Sequence, residues 1–165
     1  PDNAAAAAFG GFTIAPPVGR LQRYPIKNTL RFALLIPEFE ISTPAAREVL
    51  PARIPLADAV FSAGCAAAIA AGFASGKYQN LPEAFEDRLH QPYREPLIPF
   101  LPAVVHAARK AGALGGWLSG SGSTIACATL NNPEAVADAM IDASALDSAV
   151  AVVVGADNTG VQILP

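Results

Sequence analysis

The sequence predicts a two-layer α+β domain, a mostly antiparallel sheet with helices on one face. Three observations carry that expectation. The 165 residues are 52% apolar and only 15% charged, which is enough apolar material for a real core. Short apolar runs with strand character alternate with stretches bearing helix caps and first-turn prolines. The later half reads strand, loop, strand, helix, strand, strand, an order that fits a ferredoxin-like arrangement. No internal repeat or long linker divides the chain, so residues 1–165 are read as a single domain.

The elements follow in order. Alanine's propensity makes Asp2 to Phe9 a short helix, stopped by Gly10-Gly11. "FTIA" is a strand, followed by a turn-like stretch with Pro16, Pro17 and Gly19. Leu30 to Pro37 is a nearly continuous apolar run closed by proline, and reads as a well-buried strand. Ser42 or Thr43 caps a helix with Pro44 in its first turn, and Pro51 marks its end. From about Leu56 to Gly76 runs an uncharged-cored, Ala-rich helix. Its small residues gain little in lipid, so it is expected as a buried helix with Phe61, Cys65, Ile69 and Phe73 as its stripe, not as a membrane span. "NLPEAFEDRLHQPYREPLIP" reads as a short helix and a loop, and Pro102 to Ala111 as a helix stopped by Gly112. "GGWL" and "TIACATL" are strands around the loop "SGSGS". Asn132-Pro133-Glu134 caps a helix with Val136, Met140 and Ala143 on its inner stripe, and "AVAVVVG" and "GVQILP" are final strands.

The net charge of −3 argues against nucleic acid or an anionic membrane surface as partner. Cys65 and Cys127 lack metal-ligand spacing and read as buried free thiols of a reducing cytosol. Chemistry concentrates at three places. In "LSGSGSTIA", glycines alternate with hydroxyl residues, so Ser119, Gly120, Ser121, Gly122, Ser123 and Thr124 could form an anion-binding nest; an ordinary turn is the equal alternative. In "EDRLHQPYREP", Asp87, Arg88, His90, Tyr93 and Arg94 gather between prolines, and two arginines there suit a carboxylate or phosphate. A solvated loop is the plainer reading, with His90 a structural hydrogen-bonding residue. Arg47 alone reads as a surface helix residue, and Asp2 and Asn3 as caps or holders of polar substrate groups.

Together "PDNAAAAAFGGF", "LLIPEFEISTPAAREVLP", "DAVFSAGCAAAIAAG", "EDRLHQPYREPLIP", "AGALGGWLSGSGSTIACA" and "ADNTGVQIL" resemble the C-terminal part of the homoserine kinase family, of the GHMP small-molecule kinase superfamily. The resemblance implies a GHMP C-terminal domain, with the end of a preceding N-terminal domain at about residues 1–30. It implies transfer of the ATP γ-phosphoryl group to the hydroxyl of L-homoserine, in threonine biosynthesis and in the cytoplasm. Asp2, Asn3, Arg47 and Arg94 would bind substrate, with Asn3 also catalytic and Arg88 the rival for Arg94. Residues 119–124 would pack beside the phosphates. ATP and Mg2+ would belong to the full-length kinase, with none bound to this chain and no metal site on it. The family's Pro-x-x-x-Gly-Leu-Gly-Ser-Ser nucleotide loop does not occur in the 165 residues, so an N-terminal ATP-binding domain is an expected partner and the chain alone is expected inactive. An open apolar face predicts a homo-oligomer. Other GHMP kinases, and a non-catalytic amino-acid-binding module, are the alternatives.

Overall fold

The computed structural model describes the backbone of residues 2–163 and the side chains of residues 3–163. Helix α1 (Asp2–Phe9) ends at Gly10, where φ is +67° and a Cβ would lie 2.7 Å from the Gly160 nitrogen, so only glycine fits. Strand β1 (Phe12–Ile14) pairs antiparallel with β2 (Gln22–Tyr24). The sequence assigns no element to the second of these; Gln-Arg-Tyr carries no apolar alternation, and its pairing with β1 makes it a strand. Next come β3 (Arg31–Ile36) and α2 (Thr43–Glu48), where Ser42 Oγ accepts from Ala45 N at 3.3 Å as its cap. Helix α3 (Leu56–Ser75) stops at Gly76 in the left-handed conformation.

The expected short helix and loop after it resolve into smaller pieces, because prolines 82, 92 and 96 each withhold an N–H. They are 3-10 turns at Tyr78–Asn80, Pro82–Phe85 and Glu95–Leu97, with the single turn α4 (Gln91–Arg94) before the last. Then follow α5 (Leu101–Lys110), β4 (Ala113–Leu118), β5 (Ile125–Thr129), α6 (Pro133–Ser144) and β6 (Val150–Gly155). Asn132 precedes α6 as expected, but its side chain caps nothing; it supplies a left-handed turn with φ +47°, which asparagine tolerates. The strand expected at "GVQILP" is coil over residues 160–163, and its last two residues lie outside the described ones. Val161 N instead donates to Ala8 O at 3.1 Å, so this end follows α1 and not a sheet edge.

The main sheet has the order β4-β5-β3-β6, with all neighbours antiparallel. The path from β3 through α5 to β4 skips the place taken by β5, giving the split βαβ topology of a ferredoxin-like fold. Helices α5 and α6 cover one face through a core of Ala33, Leu35, Val104, Ile125, Val136 and Met140. The opposite face also carries packing: Phe32, Trp117 and Ala128 meet Phe12, Phe73, Leu81 and Phe85, and Phe85 stacks on Trp117 with ring centres 4.8 Å apart.

Helix α3 departs from expectation. Phe73 is buried and Phe61, Cys65 and Ile69 half-buried, so the stripe does face inward. The rest is open: Leu56 is 79% and Val60 64% exposed, and only Ser62, Gly72 and Phe73 are buried. β1 and the 3-10 turns cover one side of the helix, and no described residue lies opposite the other. By length and composition α3 is long and apolar enough to cross a bilayer. Cys127 is buried, its thiol pushed up to about 12 by burial, whereas Cys65 is partly exposed; neither forms a disulfide.

Candidate substrate and phosphate site

Residues 119–124 form the tight connection between β4 and β5. Ser119 N donates to Thr124 O at 2.9 Å and Gly122 N to Ser119 O at 3.2 Å, so two of the expected anion-facing N–H groups are spent inside the loop. The buried Ser123 hydroxyl donates to Phe39 O, and Ser121 Oγ lies 3.4 Å from Thr43 Oγ1 at the start of α2. A Cβ at Gly122 would lie 2.7 Å from Ile98 Cδ1, and its φ of +94° excludes other residues. Ser119 and Gly120 remain exposed, and they are the part of the loop that can meet a ligand.

Arg94 joins this loop to α2. Its Nε donates to Ala46 O at 3.1 Å and its Nη1 to Gly120 O at 3.1 Å. Arg47, the next residue after Ala46, is exposed. The structure thus places Arg94 between the glycine loop and the α2 backbone one residue before Arg47. Arg88 points elsewhere: its Nη1 pairs with Asp58 Oδ1 at 3.2 Å on α3, and its guanidinium lies 3.9 Å from the Phe61 ring centre. Its charge is already matched on α3.

Behind Arg94 stands a capped turn. The Asp87 carboxylate accepts N–H bonds from Leu89, His90 and Gln91 at 2.9, 2.9 and 2.7 Å. Burial pushes the Asp87 carboxyl up, but these three donors together outweigh it and leave the pKa below its ordinary value. His90 is held below the usual imidazole value by burial and by the nearby Arg94 charge, against the pull of Asp87. Arg94 Nη1 sits 3.5 Å from His90 Nδ1, a contact that suits neutral imidazole with the proton on Nε2. Gln91, which no sequence motif singles out, accepts Leu118 N–H at 2.8 Å through Oε1. Spacing alone carries no signal for a contact between residues 27 apart.

His90 and Gln91 also edge a cleft of about 690 Å³ floored by Phe32, Phe85 and Trp117, and Asn3 of α1 lines the same cleft. Pro1 and the Asp2 side chain lie outside the described residues. Among the described residues no three of His, Cys, Asp and Glu converge to hold a metal ion.

Residues 65–145 match the family model described as GHMP kinases C terminal. The chain carries a GHMP kinase C-terminal domain. Within this GHMP domain fall Asp87 to Arg94 and the whole glycine loop, whereas Asn3 and Arg47 precede the matched residues. The chain is 42% identical over 138 residues to a homoserine kinase of Thermus thermophilus, covering 82% of this chain and 47% of that protein. It is 38% identical to a homoserine kinase of Caldicellulosiruptor bescii, over 99% of this chain and 55% of that one. The crystal structure of homoserine kinase from Cytophaga hutchinsonii matches with a TM-score of 0.87 and 28% identity, over 94% of this chain and 51% of that one. The chain spans about half the length of the relatives it matches.

Proposed function

We propose that this chain is the amino-acid-binding half of a cytoplasmic homoserine kinase, acting with an N-terminal domain that supplies the ATP site. The observation that carries the reading is the Arg94 bridge: one guanidinium links the helix bearing Arg47 to the loop beside the expected phosphate position. A zwitterionic substrate needs paired cations for its carboxylate, and Arg47 with the remaining Arg94 donor suits it. Asp2 is the candidate acceptor for the ammonium group, and Asn3, which lines the cleft edged by His90 and Gln91, the candidate catalytic partner of the hydroxyl. In the reaction the homoserine hydroxyl oxygen forms a bond to the γ-phosphorus as the bond to the ADP oxygen breaks, and the hydroxyl proton is given up to water or a phosphate oxygen. The chain's own residues hold the acceptor, exclude water and present Ser119 and Gly120 to the phosphates. ATP is the expected phosphoryl donor, and Mg2+ bound with it would neutralise phosphate charge. The open face of α3 is read as protein-contacting, since Ala, Gly and Ser gain little in lipid.

The test is a coupled assay of the kinase carrying this chain with homoserine, mevalonate and sugars. Homoserine is expected as the preferred acceptor; a preference for either of the others would transfer the chain to another GHMP activity.

A further inference from the structure

We propose that Asp87 is a positioning residue for the phosphate-side loop: its carboxylate folds the turn from which Gln91 and Arg94 hold residues 118–120. This rests on the kinase function proposed above. Asp87 is only 15% exposed and touches neither the loop nor the substrate arginines directly. Its three N–H bonds fix residues 89–91 and so start α4. A single helical turn of four residues does not sustain itself in water, so the carboxylate decides whether it forms. Gln91 and Arg94, three residues apart, leave the same side of that turn. Gln91 Oε1 accepts Leu118 N–H at 2.8 Å, and Arg94 Nη1 donates to Gly120 O at 3.1 Å. One tether is an acceptor and the other a donor, and they grip the backbone on either side of Ser119. Arg94 Nε holds Ala46 O as a third point. Loss of the turn therefore releases the loop relative to both β4 and α2, where displacement of about 1 Å can cost about 100-fold in rate.

The experiment uses the kinase carrying this chain, with Asp87→Ala, Asp87→Asn and Gln91→Ala. Asp87→Ala is expected to lower kcat about tenfold or more and, by displacing Arg94, to raise homoserine KM as well, whereas Gln91→Ala, which leaves Arg94 in place, is expected to lower kcat about threefold with KM changed less than about twofold. Asp87→Asn keeps one acceptor oxygen and is expected to recover part of the loss. Hydrogen exchange at Leu118 and residues 119–124 is expected to speed up in both alanine variants while β5 stays protected. Unchanged exchange there overturns the proposal, as does faster exchange with unaltered kcat. Should Asp87→Ala fail to fold, Gln91→Ala decides by the same two readouts. Exchange needs no substrate, so a wild-type enzyme idle on homoserine counts against the proposed function, whereas protected loop amides in the variants count against the positioning role.

Discussion

Arg47 stands in solvent at the last turn of α2, whereas Arg94 has committed Nε and Nη1 to backbone carbonyls. Alanine at each therefore does different things. On the function proposed above, Arg47→Ala would remove a charged contact with the substrate carboxylate and is expected to raise homoserine KM about 10- to 100-fold, since bonds to charged groups contribute about 1.5–3 kcal/mol. Its melting temperature should not move. Arg94→Ala loses the same kind of contact and two structural bonds, so melting temperature falls as well; Arg88→Ala leaves homoserine KM unchanged. Steady-state kinetics beside melting curves for the three variants check this. The second prediction concerns protons. His90 is folded with a pKa below 6.5, so as pH falls from about 6.5 the unfolded chain binds a proton that the folded one refuses, and stability drops until the folded value is passed. Asp87 acts lower: its contribution is full above about 3.8 and is lost as pH falls through its depressed folded value. Melting temperature against pH should show both limbs, with the upper one absent in His90→Gln and the lower one kept.

Two glycines of α3 show how differently one helix is used along its length. A Cβ at Gly64 would meet nothing within 4 Å, while at Gly72 it would run into Leu81, which is fully buried and cannot retreat. Gly64→Ala should therefore stabilise by about 1 kcal/mol, from helix propensity. Gly72→Ala should destabilise by about 1–3 kcal/mol, from overpacking. Denaturant midpoints of the two variants should move in opposite directions. That contrast also explains what the sequence could reveal. The stripe from Phe61 to Phe73 was legible, because spacing is a property of the helix itself. The openness of Leu56 and Val60 was not, because burial depends on what lies opposite. The β4–loop–β5 unit was equally plain from its apolar runs and glycines, and β2 was hidden by its polar composition. At the site, Arg47, Arg94 and the glycine loop could be named from residue type and resemblance, but the bridge between them could not. Asp87 belonged to a charged stretch; only the folded turn reveals that it faces three N–H groups and not solvent.

At the scale of the molecule, the chain has a built loop, a braced turn and an aromatic-floored cleft, and spans about half the length of the relatives it matches. The 165 residues alone, given ATP, Mg2+ and homoserine, are expected to show no turnover, and calorimetry on them should detect weak or no homoserine binding. Tight binding of homoserine or threonine by this chain alone would favour the amino-acid-binding module instead. The central strand has a further consequence. β3 pairs Phe32 with Ala128 on one side and Val154 on the other, and both partners come from far later in the chain. At synthesis rates of about 5–20 residues per second, the ribosome needs roughly 5–19 s to deliver β5 after β3 has been made and roughly 6–24 s to deliver β6. Until β5 arrives Phe32 to Ile36 is an apolar strand with both edges unpaired, so the nascent chain is at its most chaperone-dependent before its sheet can form.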